Sequence, residues 1–199
     1  MAVTALILYA LWFALAFGLR TVMALRSTGD SGFRGISGRP LSLEWSAGVL
    51  FAVALLVGVA APSADLAGLP PLVDSSSLAV AGLVIALVGI GGTLAAQLSM
   101  GDSWRIGVDH HERTELVTRG AFGLARNPIY TAMTITAVGL AAMVPNVIAV
   151  GGMIALIVAL ELQVRGVEEP YLRRVHGAAY DRYAAQVGRF LPGVGRRAA

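Results

Sequence analysis

PIYTAMTITAVGLAAMVPNVIAVGGMIALIVAL, residues 128–160, contains no charged side chain, and its only interruption is Pro145-Asn146. Proline removes a backbone donor and bars an unbroken helix at that point. The stretch therefore reads as a tight helical hairpin with arms Pro128–Val144 and Asn146–Leu160. The first arm is about 25 Å long at 1.5 Å per residue, short of a relaxed bilayer, so it either thins the bilayer locally or leaves its amino end buried in protein, where a pocket could form.

Upstream, Val3–Leu19, Ser46–Ala61 and Leu78–Leu98 are apolar runs that approach the ~20 residues a crossing helix requires. With 56% hydrophobic and only 14% charged residues in 199, the chain reads as an integral membrane protein. No composition shift divides it, so one membrane domain, 1–199, is expected. Three amino-terminal spans (1–98) precede a second half (99–199) that holds a polar loop, the hairpin 128–164 and a carboxyl-terminal helix. Val3–Leu19 has no basic region before it and Arg20 and Arg26 after it, the wrong order for a cleaved signal, and is expected to be retained. Glycines at 82, 89, 91 and 92 and alanines at 81, 86, 95 and 96 suit close helix packing. Gly89–Gly92 lies inside a span with no strand before it, which removes the context of a nucleotide loop.

The net charge of +3 arises from arginines alone, and their distribution is uneven. Arg20, Arg26, Arg34 and Arg39 fall between spans one and two; Arg105, Arg113, Arg119 and Arg126 fall between three and four; seven more, from Arg165 to Arg197, follow span five. By the positive-inside rule the chain is all-α with five transmembrane helices, its amino terminus outside and its carboxyl terminus cytoplasmic. The lysine-free composition fits a bacterial inner membrane. Arginine placed this way reports topology, and no nucleic-acid partner is expected; membrane lipids are.

Polar residues concentrate in Gly101–Tyr130 and Glu161–Arg189, where chemistry is to be sought. The absence of cysteine excludes disulfides, thiolate nucleophiles and zinc–thiolate clusters. His110-His111-Glu112 diverge as neighbours and lack a nearby third histidine, so no metal is expected. No serine stands in a nucleophile-elbow pattern. Asn127 before Pro128 reads as a helix N-cap followed by a first-turn proline. That helix end suits an anion, with Arg119 and Arg126 close in sequence, although Arg126 at a membrane edge could equally reach lipid phosphate. Glu161, Arg165, Glu168 and Glu169 share one face of a helix that leaves the bilayer, where charges usually line a polar cavity. Leu172, Val175, Ala179, Tyr183 and Val187 then mark a cytoplasmic amphipathic helix, with Tyr180 and Tyr183 as interface anchors.

Two of these motifs together resemble the isoprenylcysteine carboxyl methyltransferase family and its phospholipid methyltransferase relatives, over Thr114 to Pro192. Leu116-Val117-Thr118-Arg119-Gly120-Ala121-Phe122 is similar to that family's Leu-Val-Thr-x-Gly-x-aromatic loop, and Arg126-Asn127-Pro128-Ile129-Tyr130 to its Arg-His-Pro-x-Tyr motif. Glu168-Glu169, then Gly177, Tyr180, Tyr183, Arg189 and Pro192, resemble its acidic pair, Gly-x-x-Tyr-x-x-Tyr and Arg-x-x-Pro tail. Asn127 stands where the family commonly has histidine, and Phe122 where it has tyrosine.

The resemblance implies methyl transfer from S-adenosylmethionine to a lipophilic, amphipathic or lipidated acceptor at the membrane face. It further implies cofactor contacts from Thr114, Glu115, Leu116, Val117, Phe122, Arg126, Asn127, Pro128, Ile129, Tyr130 and Glu168. Arg165 is the nearest match to the family's substrate-orienting arginine. Methyl transfer from a sulfonium is an in-line displacement that runs on positioning and needs no covalent enzyme intermediate. Two other classes stay open: a nicotinamide-dependent reductase of the steroid and sterol type, which Pro128 and the acidic pair disfavour, and a non-catalytic membrane scaffold.

Overall fold

In the computed structural model the described residues are 1–33, 35–36, 38–104 and 115–197. The chain forms helices α1 (Ala2–Thr28), α2 (Leu43–Leu66), α3 (Ser76–Met100), α4 (Pro128–Met143), α5 (Val147–His176) and α6 (Ala178–Gln186). Four of them, α1, α2, α3 and α5, are long and apolar enough to cross a membrane, while α4 is apolar but only 16 residues long.

The hairpin forms where the sequence places it. Asn146 is fully buried and caps α5: its Oδ1 accepts from Ile148 N at 3.1 Å and Ala149 N at 2.9 Å, while Nδ2 donates to Ala61 O on α2 at 2.9 Å. A buried amide satisfied on all sides fixes both the turn and its seat against α2. Ser42 and Ser75 cap α2 and α3 through their hydroxyls, accepting from Trp45 N and Leu78 N.

Helix α3 packs along α4, and α2 along α5. The first pairing depends on missing side chains. A Cβ on Gly82 would lie 2.6 Å from Gly139 O, one on Gly89 would collide with the Thr136 backbone, and one on Gly139 with that of Ala86. Gly91 has nothing within 4 Å and faces away. Small residues thus bring two backbones into contact where lipid supplies no hydrophobic drive for association. Helix α1 closes the core with Tyr9 and Trp12 against Ile90 and Met133. A cavity of about 60 Å³ lies between α1, α2, α4 and α5, lined by Tyr9, Trp12, Gly58, Leu140 and Leu156 among others. It lies in the half of the bundle nearer the Pro145-Asn146 turn and not at the amino end of α4, where the short arm suggested a pocket.

Two boundaries differ from expectation. The first helix does not stop at Leu19 but continues through a π-helical turn, Ala14–Leu19, to Thr28. Arg20 is therefore a buried helix residue and not part of a loop: its Nη2 donates to Gly101 O at 3.1 Å and its guanidinium lies 5.1 Å from the Trp104 ring centroid. A carbonyl and an aromatic face are among the partners that stabilise this charge inside the protein. The carboxyl-terminal amphipathic helix is not one rod. Its first part is the continuation of α5 to His176, and Gly177 at φ +51° separates that from α6. Glycine takes this backbone conformation without the steric cost other residues incur.

Candidate functional site

At the arginine-rich end of the bundle the tail folds back over the start of α4. Ala125 and Gly188 form a parallel bridge, in which Arg126 N donates to Gly188 O at 2.8 Å and Asn127 N to Arg189 O at 3.0 Å. Gly188 is required by contact, since a Cβ there would meet the Leu191 and Val194 backbones. Asn127 occupies the N-cap position as expected, yet its side chain makes no cap bond. Its Nδ2 donates instead to Arg189 O at 3.1 Å. The tail has taken the side chain, so the first-turn N–H groups of Ile129 and Tyr130 receive no side-chain cap.

The four charges Glu161, Arg165, Glu168 and Glu169 do not share one face. A π-helical turn, Val164–Glu168, lies within them, and its wider i→i+5 geometry shifts both glutamates around the helix relative to Glu161 and Arg165, while as neighbours the two diverge by about 100° on any helix. Arg165 pairs with Glu161 on the surface and not with Glu168. Glu168 turns into the hairpin, where its Oε1 accepts from Tyr130 Oη on α4 at 2.5 Å and from Gln163 Nε2 at 3.4 Å. Its Oε2 takes no hydrogen bond among the described residues. Tyr130 and Glu168, 38 residues apart, thus meet across the two arms of the hairpin.

Glu169 has the opposite environment. It is 2% exposed, and its carboxylate accepts from Arg126 Nη2 at 2.8 Å and from the Arg189 fork at 2.7 and 2.9 Å, with Arg197 at 3.5 Å. This pairing pushes the Arg189 guanidinium further above its already high range. Arg126, read from the sequence as an anion or lipid-phosphate ligand, is buried and donates also to Ala184 O, Val187 O and Gly195 O. Its two Nη groups are occupied by Glu169 and by carbonyls of the returning tail, while its Nε has no partner among the described residues.

Tyr180 and Tyr183 are not boundary anchors. Both are buried with Ala184 against Leu116, Leu172 and Val187, and Tyr183 Oη donates to Phe122 O at 2.7 Å. Burial pushes the Tyr180 phenol up to about 12 and raises that of Tyr183 as well. Leu116 and Phe122 are thereby brought to α6. Val117 is half-buried and Glu115 exposed. Thr114, with His110, His111 and Glu112, lies outside the described residues.

Gln163 was not foreseen. Its signal was a polar residue ending an apolar run five positions before Glu168, the spacing of a π turn and not of an α-helix.

The family model for phospholipid methyltransferases matches residues 78–179, just over half of the chain. No curated protein sequence matches significantly. Among solved structures, the chain is similar to the eukaryotic intramembrane Ras methyltransferase ICMT (isoprenylcysteine carboxyl methyltransferase), solved without a monobody, at TM-score 0.65 and 18% identity over 96% of this chain. The match spans 66% of that protein's structure. The matched helices of this all-helical membrane fold are those that carry the Tyr130–Glu168 contact, and the chain belongs to the phospholipid methyltransferase family, as a relative with an ICMT-like fold.

Proposed function

We propose that the chain is an S-adenosylmethionine-dependent methyltransferase whose acceptor is a lipophilic or amphipathic molecule reached from the membrane. The observation that carries this reading is the meeting of Tyr130 and Glu168 beside the uncapped start of α4. The donor set fits the cofactor. A carboxylate pinned by a tyrosine hydroxyl, with one oxygen left over, suits an ammonium or ribose hydroxyls, and free first-turn N–H groups suit a carboxylate. Bound there, S-adenosylmethionine supplies an electrophilic methyl group on a sulfonium.

The protein's own residues then act by positioning. Glu168 and the N–H groups of Ile129 and Tyr130 hold the polar end of the cofactor, with Asn127 and Pro128 setting the helix start. Glu115, Leu116, Val117 and Phe122 would flank it from the preceding loop; Thr114, assigned to the cofactor by the resemblance, lies outside the described residues. Arg126 contributes indirectly, by holding the tail against this helix end. Arg165, 60% exposed and paired among the described residues with the surface Glu161, is available to orient an acidic acceptor. No titrating group is needed at Asn127, because an acceptor that arrives ionised attacks without losing a proton. The site would lie on the cytoplasmic face of a five-span protein in a bacterial inner membrane. Reporter fusions at Ala67 and Arg197 should then report opposite sides.

The test is thermal stabilisation in detergent followed by label transfer. S-adenosylmethionine or its demethylated product, at about 100 times its dissociation constant, should stabilise the protein by about 2.7 kcal/mol, while NADPH should not. Membranes incubated with methyl-labelled cofactor should carry label into a lipid-soluble or lipidated fraction. Stabilisation by NADPH alone would overturn the reading.

A further inference from the structure

The loop that ends the tail carries apolar side chains where a water-facing turn has no use for them. Arg189 N donates to Val194 O at 2.8 Å and Val194 N to Leu191 O at 3.1 Å, a closure that turns Leu191 and Val194 outward at 54% and 61% exposure, on either side of Pro192-Gly193. Leu124, next to the bridge residue Ala125, is exposed as well. The loop is fixed to the start of α4, since Thr131 Oγ1 donates to Phe190 O at 2.7 Å. It therefore lies level with the end of a helix that, at 16 residues, is about 6 Å short of the ~30 Å hydrocarbon layer. Arginines flank the apolar tip in two ways. Arg189 and Arg197 turn inward to Glu169, whereas Arg196 is exposed and pairs with no carboxylate among the described residues.

We propose that Leu191, Pro192 and Val194, with Leu124, insert into the bilayer leaflet on the arginine-rich face, and that Arg196 binds an anionic lipid phosphate at the same depth. The occupant is lipid for two reasons. The patch is bonded to the amino end of α4, an apolar helix whose exposed side chains, Ile135 and Val138, are aliphatic, so bilayer is the medium expected to adjoin it. An unpaired cation beside exposed aliphatic residues also matches the boundary at which arginine keeps its head with phosphates while neighbouring side chains enter the acyl region. The insertion makes good the missing length of α4, and it presses on the segment that carries Arg189 and Arg197 to Glu169.

Because the chain has no cysteine, single-site spin labels report this directly. Leu191→Cys and Val194→Cys would be labelled with a nitroxide and reconstituted into vesicles of phosphatidylcholine with or without phosphatidylglycerol. Ile154→Cys on the lipid-facing side of α5 serves as the hydrocarbon reference, and labelled glutathione in buffer as the aqueous one. In phosphatidylglycerol vesicles the labels at 191 and 194 should be relaxed by oxygen and lose relaxation by a water-soluble nickel chelate, as at 154. In pure phosphatidylcholine they should shift toward the nickel chelate, and Arg196→Gln should abolish that lipid dependence. Nickel-dominated relaxation at both positions in anionic vesicles would overturn the insertion. Dipolar broadening that vanishes on dilution with unlabelled protein would instead assign the patch to contact between copies and overturn it equally. Recovery of depth in phosphatidylcholine on addition of inorganic phosphate would overturn the lipid as the ligand of Arg196.

Discussion

Replacing Glu169 by glutamine tests the proposed division of the acidic pair into a structural and a chemical member. The carboxylate is 2% exposed and compensates Arg126, whose side chain is also 2% exposed, together with the Arg189 fork. Removing one partner of a buried ion pair costs about 3–5 kcal/mol, because the remaining charge is left in a low-dielectric site. Glutamine keeps the shape and one carbonyl acceptor, which recovers about 1 kcal/mol of hydrogen bonding. The expected net loss is about 2–4 kcal/mol, or about 4–16 °C in apparent melting temperature for a protein of this size. Glu168→Gln should behave differently: its amide oxygen can still accept from Tyr130, so the loss should stay under about 1 kcal/mol.

The assay is intrinsic fluorescence melting in detergent at one fixed scan rate, with Trp12, Trp45 and Trp104 as probes. A double variant with Arg126→Gln should cost less than the sum of the two single variants, since their ion pair is lost only once, but more than Glu169→Gln alone, since the Arg126 bonds to Ala184 O, Val187 O and Gly195 O go as well. Stabilisation by S-adenosylmethionine should survive in Glu169→Gln, measured below its melting point, and be lost in Glu168→Gln. A Glu169→Gln protein that melts within 1 °C of the parent, or a Glu168→Gln protein that melts lower than it does, would refute the division of roles.

Gly139→Ala should cost about 1–3 kcal/mol by driving a methyl group into the Ala86 backbone, whereas Gly91→Ala should leave the melting temperature unchanged or slightly raised. Arg165→Ala removes only an exposed pair and should cost under about 1 kcal/mol, yet lower kcat/KM for an acidic acceptor with cofactor binding intact; equal loss for neutral acceptors would remove its orienting role. Burial pushes Tyr180 up to about 12 and also raises Tyr183, so the folded state favours the neutral phenols. The stability this confers is complete below pH ~10 and is lost toward pH 12, at up to ~1.4 kcal/mol per pH unit for each tyrosine. Tyr180→Phe should flatten that alkaline limb, and an unchanged limb would count against the burial of this ring.

Membrane residence, the helical hairpin and the family resemblance of the polar segments were legible in the linear chain because they rest on local properties. Apolar length, a proline-asparagine break and the spacing of short motifs do not need a partner segment to be read. The crowding of small residues likewise announced close packing, although only the packed structure distinguishes Gly89, pressed on Thr136, from Gly91, which faces outward.

The fate of each polar side chain was decided by tertiary structure. Periodicity at 3.6 residues put Glu161, Arg165, Glu168 and Glu169 on one face, but a single π turn sends Glu168 to Tyr130 and Glu169 to Arg126. Such a turn shows in the sequence only as the five-residue interval from Gln163 to Glu168, which a 3.6-residue periodicity does not single out. Asn127, Arg126 and Tyr183 were each read for what they could do at a membrane surface. The returning tail takes all three inward, because buried donors must find acceptors and those acceptors are carbonyls some sixty residues away in the chain. Sequence determines which groups need partners; the choice among partners belongs to the fold.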